Sequence, residues 1–102
     1  MYNLIITDSA QKDLEAIIEY IAIELSNPAA AEALLGEVEK CYDALILQPY
    51  MYELCRNDRR RVVGYRRAVI KRYIMIYSVD ESKETVFVMR FFYGARDYEN
   101  LI

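Results

Sequence analysis

The spacing of apolar residues divides the chain into a helical half and a strand-rich half. Within residues 14–25 apolar side chains recur at intervals of three and four, which predicts one buried stripe on an amphipathic helix. A second helix is predicted from Pro28 to near Pro49, because proline suits the first turn of a helix and cannot continue one. The two stripes comprise Leu14, Ile17, Ile18, Ile21 and Leu25, then Ala33, Leu34, Val38, Cys41, Leu45 and Ile46. We expect Asp8 and Asn27 to cap these helices, which pack as an antiparallel hairpin.

Alternation with a period of two predicts four strands. Residues 2–7 form the first, ahead of the hairpin, and the aperiodic stretch 49–60 is interpreted as a loop. The three later strands are expected at residues 62–70, 72–79 and 85–93. The last two are apolar on both faces, which is typical of central, covered strands. A strand, a helical hairpin and a three-stranded antiparallel meander predict one α+β domain over residues 1–102, its small sheet covered by the helices.

Charge is distributed unevenly along the chain. The 13 basic and 16 acidic residues give a net charge of -3. Residues 1–55 carry two basic and ten acidic residues, a net -8, whereas residues 56–102 carry eleven basic and six acidic residues, a net +5. Eight of the basic residues fall within residues 56–73. This asymmetry indicates either a face that binds polyanions or two halves that neutralise each other at their interface.

The composition excludes several kinds of chemistry. The chain has no His, so a Ser-His-Asp triad, a Cys-His pair and a His general base are impossible. Two Cys are too few for a disulfide framework or a four-ligand zinc site, and we expect no metal and no cofactor. The sequence shows no signal peptide and no stretch of about 18 apolar residues, so we expect a cytoplasmic protein with reduced cysteines and no membrane partner.

Four short motifs, taken in order along the chain, resemble a known family. They are Asp13-Leu14, Tyr65-Arg66-Arg67, Tyr73-Ile74-Met75-Ile76-Tyr77 and Phe92-Tyr93-Gly94-Ala95-Arg96-Asp97. Their order and spacing resemble the RelE/ParE toxins of bacterial type II toxin-antitoxin modules over nearly the whole chain. The resemblance implies a small cytosolic toxin of the plasmid-stabilisation type. It also implies a cognate antitoxin, encoded beside the toxin, as the principal protein partner.

The resemblance leaves the mechanism open between two classes. RelE-like toxins act on the ribosome and cleave mRNA, whereas ParE-like toxins inhibit DNA gyrase without an enzymatic step. The basic segment favours an RNA surface, while the missing His, the lack of an evident base and the long hairpin favour the ParE-like class. We take ribosome-dependent mRNA cleavage as the working interpretation, with gyrase inhibition as the alternative. A third alternative is an inactive member that only binds its antitoxin.

RNA cleavage would require groups that stabilise charge on the phosphate and move a proton. Arginine suits the first task, because its guanidinium stays protonated and can bond two phosphate oxygens. We expect Tyr93, Arg96 and Arg67 to be catalytic, with Tyr93 either stacking on a base or transferring a proton. A free Tyr has a pKa near about 10, so proton transfer near neutral pH requires a strongly lowered pKa or a route through water. The predicted RNA-binding residues are Arg59, Arg60, Arg61, Arg66 and Lys71.

Several of these arginines also have a structural interpretation. Arg66 and Arg67 alternate to opposite faces of one strand, so that one of them can pair with the acidic helices. Arg90 lies in an apolar strand and is expected to pair with a helix carboxylate, since a buried charge needs a partner. Arg96 can form an ion pair with Asp97 that anchors the end of the chain.

Overall fold

A four-stranded mixed sheet with a helical hairpin on one face forms the fold. The computed structural model describes residues 1–56 and 58–94, apart from the side chains of Asp58 and Arg60. The elements are β1 (Asn3–Ile6), α1 (Asp8–Glu19), a π-helical turn (Tyr20–Glu24), α2 (Pro28–Leu47), α3 (Asp58–Val63), β2 (Arg66–Ile70), β3 (Tyr73–Asp80) and β4 (Thr85–Tyr93). The strand order is β1-β4-β3-β2, with β1 parallel to β4 and the other pairs antiparallel. The predicted α+β arrangement, with the last two strands central, is confirmed.

The two long helices begin at polar caps. Thr7, rather than the predicted Asp8, caps α1, since its Oγ1 accepts a hydrogen bond of 3.1 Å from the N–H three residues later. The same hydroxyl donates to the carbonyl of Met89 at 3.1 Å, which joins the start of α1 to β4. Asn27 caps α2 as predicted, and its Oδ1 accepts from Ala30 N at 3.1 Å.

Two apolar cores lie on opposite faces of the sheet. The helices cover the first face, whose most buried side chains include Leu34, Val38, Leu45, Met75, Tyr77, Val86 and Val88. Ile74 and Ile76 point to the second face, where Cys55 and Phe92 complete a smaller core. The predicted alternation along β3 is therefore confirmed. The helical hairpin covers the first face, and the segment between α2 and β2 supplies Cys55 to the second.

The region predicted as a loop contains a short helix. The interpretation of residues 49–60 as a loop and of 62–65 as strand is wrong in part, because α3 spans Asp58–Val63 and β2 starts only at Arg66. The two valines that suggested a strand are exposed, so no sheet face requires them. Gly64 ends the helix with a φ of 93°, a conformation that glycine adopts without a steric penalty.

A π-helical turn at the end of α1 changes which residues face the core. The N–H of Leu25 bonds the carbonyl of Tyr20 at 3.0 Å, five residues earlier, which is the hydrogen-bond pattern of a π-helix. Ile21 stays buried, whereas Leu25, predicted on the buried stripe, is 55% exposed. Tyr20 is exposed to a similar extent, at 52%. On α2, Ala31 rather than the predicted Ala33 joins the core.

An ion pair joins α1 to the middle of the sheet. Asp13 Oδ2 accepts from Arg90 Nε at 2.6 Å and from the backbone N–H of Phe91 at 3.1 Å, while Oδ1 accepts from Arg90 Nη2 at 3.2 Å. The Arg90 side chain is only 34% exposed and the Asp13 side chain only 19%. The hydrogen bonds to Asp13 raise the pKa of the Arg90 guanidinium above its ordinary value. The expected pairing of Arg90 with a helix carboxylate is confirmed.

A second polar cluster fixes the N-terminus to the turn between β3 and β4. Glu81 in this turn accepts a hydrogen bond of 2.6 Å from the Tyr2 phenol and another from the Tyr50 phenol. The hydrogen bond to Glu81 raises the pKa of Tyr2 to about 12. The two phenols in turn lower the pKa of Glu81.

Within the described part of the chain, no helix has the length and apolar character needed to cross a membrane.

The Glu81 cluster predicts a loss of stability at both extremes of pH. The contribution of Tyr2 is complete below its unfolded pKa of about 10 and is lost as the pH rises towards about 12. The contribution of Glu81 is present above its unfolded pKa of about 4.3 and is lost as the pH falls further. We expect Tyr2→Phe to lower the thermal midpoint at pH 8 and to flatten its decline between pH 10 and 12. An alkaline decline identical to that of the wild type would contradict this assignment.

Candidate functional site

A groove of about 1260 Å³ lies between the helical hairpin and one end of the sheet. Its buried lining is apolar and includes Ile21, Leu34 and Phe91. Its exposed lining combines apolar and basic side chains: Tyr20, Leu25, Lys71, Arg72 and Tyr93. The Asp13–Arg90 pair also lines this groove. Asp13 is the only carboxylate among the lining residues, and Arg90 neutralises it. The groove therefore presents apolar surface with an excess of positive charge.

The two exposed cations occupy the tight turn between β2 and β3. Lys71 has a φ of 54°, in the left-handed region that non-glycine residues rarely adopt. The carbonyl of Arg72 accepts a hydrogen bond of 2.8 Å from the N–H of Gly94. A Cβ at Gly94 would lie 3.0 Å from that carbonyl oxygen, a distance tighter than most Cβ contacts, so this close approach favours glycine. The end of β4 thus holds the Lys71–Arg72 turn in place.

Two tyrosines stand beside this turn at the ends of the central strands. Tyr73 and Tyr93 are register partners, and their ring centroids lie 5.7 Å apart at an interplanar angle of 67°. Burial, and the proximity of Tyr93, raise the pKa of Tyr73. Tyr73 is therefore protonated at neutral pH. Tyr93 is 42% exposed as a residue and remains accessible for contact with another molecule.

A smaller cavity of about 380 Å³ brings together three of the residues predicted as a site. Arg67, Lys71 and Tyr93 all line it. Arg67 Nη1 bonds Glu53 Oε1 at 2.8 Å, and the Arg67 side chain is only 12% exposed. The expectation that one arginine of the Arg66–Arg67 pair bonds an acidic helix is not met by this contact, because Glu53 lies between α2 and α3. Its carboxylate reaches Arg67 because backbone hydrogen bonding pairs this segment with β2.

Arg66 lies apart from that cavity. Its Nη1 donates to the carbonyl of Tyr52 at 2.7 Å, and its guanidinium lies 5.0 Å from the centroid of the Tyr50 ring. Strand alternation separates Arg66 from Arg67, as the sequence predicted. Arg66 therefore holds the segment after α2 against the sheet.

The remaining predicted residues are not gathered at either cavity. Arg59 and Arg61 are exposed on α3 and line neither space. The side chain of Arg60 and the whole of Arg96 lie outside the described residues, so their proposed roles stay predictions. Among the residues that the structure describes, no group of three or more His, Cys, Asp or Glu side chains is arranged to hold a metal ion.

The sequence interpretation missed three contributors to the groove. The alternation predicts Arg72 as the first residue of a strand, although its position beside Lys71 in a basic run marks it as a candidate. Tyr20 was not on the predicted stripe, and Leu25 is exposed because it follows the π-helical turn. Apolar spacing alone gives no signal for that turn, because the interval between residues 21 and 25 fits an ordinary α-helix equally well.

Comparison with known families decides the identity of the fold. The family profile described as ParE toxin of type II toxin-antitoxin system, parDE, matches residues 4–98. The chain belongs to the ParE toxin family. The resemblance to RelE/ParE toxins noted in the sequence is thereby confirmed. Among curated proteins, none is similar enough in sequence to count as a relative.

Solved structures support the same fold at low sequence identity. A chain of the chromosomal ParDE toxin-antitoxin system from P. aeruginosa is 18% identical with a TM-score of 0.71, covering 91% of this chain and 96% of that one. A chain of the RelBE2 toxin-antitoxin complex from Mycobacterium tuberculosis is 22% identical with a TM-score of 0.63, covering 90% and 96% respectively. This ParE-family chain therefore shares its fold with chains from both RelBE and ParDE systems.

The close contact at Gly94 predicts opposite effects for two glycine substitutions. Gly94→Ala places a methyl group against the Arg72 carbonyl and should destabilise the fold by about 1–2 kcal/mol. Gly36→Ala is the control, because its added Cβ in the interior of α2 has no atom within 4 Å apart from its neighbours in the chain and the helix's own backbone. It should stabilise the fold by about 0.5–1 kcal/mol. Urea unfolding measures both changes, and a neutral Gly94→Ala would contradict the packing described for the turn.

Proposed function

We propose that this chain is a growth-arresting toxin that inhibits DNA gyrase by binding it, rather than by cleaving mRNA. The observation that carries this proposal is the engagement of Arg66, Arg67 and Arg90 within the fold. Arg66 bonds a main-chain carbonyl, Arg67 bonds Glu53, and Arg90 bonds Asp13. An arginine that stabilises a phosphate must direct its N–H groups at the ligand, and these three direct donors at protein oxygens.

Tyr73 and Tyr77 do not supply the proton transfer that RNA cleavage requires. Burial raises the pKa of Tyr73, and it raises that of Tyr77 to about 12. Tyr77 is also fully buried, and its hydroxyl donates to the carbonyl of Pro49 at 2.9 Å. Both phenols are protonated near neutral pH, whereas a general base must be deprotonated there. These tyrosines serve packing rather than catalysis.

Cleavage of mRNA on the ribosome is the second candidate, and the smaller cavity is the observation that favours it. Arg67, Lys71 and Tyr93 meet there, which supplies two cations and an exposed aromatic ring. An aromatic ring can stack on an unpaired base without any change in its pKa. In this alternative the partners are the ribosome and mRNA, and Arg96 is a further expected catalytic residue.

An antitoxin is the expected regulatory partner under either mechanism. The family is that of type II toxin-antitoxin toxins, and the two similar structures are described as toxin-antitoxin systems. We accordingly expect a cytoplasmic toxin whose cognate antitoxin binds it and blocks its action.

Induction of the toxin in growing cells separates the two mechanisms. We expect growth arrest with DNA damage and relaxed plasmid supercoiling, while primer extension shows intact mRNA. In parallel, the purified chain should inhibit supercoiling by purified gyrase. Co-expression of the antitoxin should abolish both effects, which controls for non-specific toxicity.

RNA cleavage would give a different result in the same experiment. Ribosome-dependent mRNA cuts that disappear in Tyr93→Phe, without DNA damage, would contradict gyrase inhibition and support RNA cleavage. Full expression without any growth arrest would indicate an inactive member of the family.

A further inference from the structure

The end of the helical hairpin, between α1 and α2, exposes three large apolar side chains. Tyr20 is 52% exposed, Ile23 66% and Leu25 55%. Clustered exposed apolar side chains mark interaction surfaces, whereas single ones need no explanation. Tyr20 and Leu25 also line the large groove, but Ile23 is not among its lining residues. The exposed cluster therefore extends beyond the groove.

Main-chain hydrogen bonds hold these side chains in place. The N–H of Leu25 donates to the carbonyl of Tyr20 at 3.0 Å, and the N–H of Ser26 donates to the carbonyl of Ile23 at 3.2 Å. Ser26 has a φ of 50°, in the left-handed region, and this turns the chain towards α2. Side chains on a fixed backbone lose less freedom when they bind, so a preorganised surface binds a partner more tightly.

The same end of the hairpin is acidic. Residues 13–39 contain no Lys and no Arg. Glu19 and Glu24 stand next to the apolar side chains in the sequence, and both are exposed. Within the part of the chain that the structure describes, neither carboxylate forms an ion pair. We define the hairpin tip as Glu19, Tyr20, Ile23, Glu24 and Leu25. It presents apolar surface bordered by uncompensated negative charge.

We propose that the hairpin tip is the surface with which this toxin binds DNA gyrase. Its counterpart on the enzyme is an apolar site bordered by basic side chains. Ile23 and Leu25 enter the apolar site, while Glu19 and Glu24 pair with the surrounding cations. This inference rests on the proposed function, because it names the surface that would contact the proposed target.

Charge complementarity favours gyrase as the occupant of the tip. An enzyme that binds DNA presents cationic side chains to the phosphates, and such side chains also attract the carboxylates of another protein. Glu19 and Glu24 would repel a nucleic acid. They would also oppose contact between the tips of two copies, which would bring four carboxylates together without a cation from residues 13–39. A basic protein surface is therefore the best match.

Equilibrium binding of the purified chain to purified gyrase tests the apolar part of this surface. Ile23→Ser should weaken binding about 10-fold, because it removes most of an aliphatic side chain that the contact buries. Leu47→Ser is the matched control and should change the affinity less than 2-fold. Leu47 is also 66% exposed, but it is the last residue of α2, about 30 Å from the start of that helix. Inhibition of supercoiling should change in parallel with binding.

A second pair of variants tests the acidic border. Glu19→Gln/Glu24→Gln should weaken binding about 5-fold at low salt and make it less dependent on salt. Glu39→Gln/Asp43→Asn removes the same charge from exposed positions on α2 and should change the affinity less than 2-fold. These positions lie about 16 Å or more from the start of α2, which exceeds the screening length of about 10 Å in 0.1 M salt.

Thermal midpoints separate recognition from structure. Ile23 and Leu47 are equally exposed, so both serine variants should keep a midpoint close to that of the wild type. An Ile23→Ser protein with a lowered midpoint and wild-type affinity for gyrase would show that Ile23 serves the fold, and would overturn the proposal.

Three other results would overturn it. The first is an equal affinity of Ile23→Ser and Leu47→Ser for gyrase. The second is weaker binding of Ile23→Ser to the antitoxin with unchanged binding to gyrase, which would assign the tip to the antitoxin. The third is a wild-type dimer in sedimentation that Ile23→Ser dissociates without any change in gyrase affinity.

The same measurements distinguish this inference from the proposed function. In each of those three results the wild-type chain still binds and inhibits gyrase, so that only the assignment of the tip is contradicted. A folded wild-type chain that neither binds gyrase nor inhibits supercoiling would contradict the proposed function itself, and the assignment of the tip with it.

Discussion

The carboxylate of Asp13 determines how the hairpin sits on the sheet. It bonds both the side chain of Arg90 and the main chain of Phe91, and thereby fixes α1 to β4 at two adjacent points. Breaking a half-buried pair of this kind costs about 2 kcal/mol, because it leaves a guanidinium without its partner. The groove lies directly beside this contact. The Asp13–Arg90 pair therefore forms part of the groove wall.

This constraint divides the basic residues into two groups with different roles. Arg66, Arg67 and Arg90 bond oxygen atoms of the fold, although two of them belong to the motif that suggested phosphate binding. Lys71 and Arg72 stand at the groove mouth, in a turn that the contact with Gly94 holds in position. The Arg67–Glu53 and Arg90–Asp13 pairs each join the basic half of the sequence to its acidic half, so part of the asymmetric charge is neutralised within the fold. The side chains of Lys71 and Arg72 are exposed.

Apolar spacing was sufficient to predict the number of strands, the hairpin and the α+β class, but it placed the start of β2 too early. That success has a physical reason. Each apolar stripe must pack against another element, and a pair of helices can cover one face of a small sheet. The exposure of Leu25 could not be predicted, because one extra residue in a π-helical turn rotates it away from the core. The pairing of Arg67 with Glu53 could not be predicted either, because it depends on the path of an aperiodic segment. The site is harder to predict than the fold because it is built from such irregular segments.

The central claim is that the strand arginines support the fold, while the toxin acts by binding. Growth arrest by Arg67→Lys and by Glu53→Gln, each measured together with the free energy of unfolding, tests this claim most directly. Both substitutions weaken the Arg67–Glu53 contact, but only the first removes a guanidinium that an RNA-cleaving site would need. The account predicts that both variants arrest growth in proportion to their folded population. An Arg67→Lys variant that folds as stably as Glu53→Gln but fails to arrest growth would contradict it.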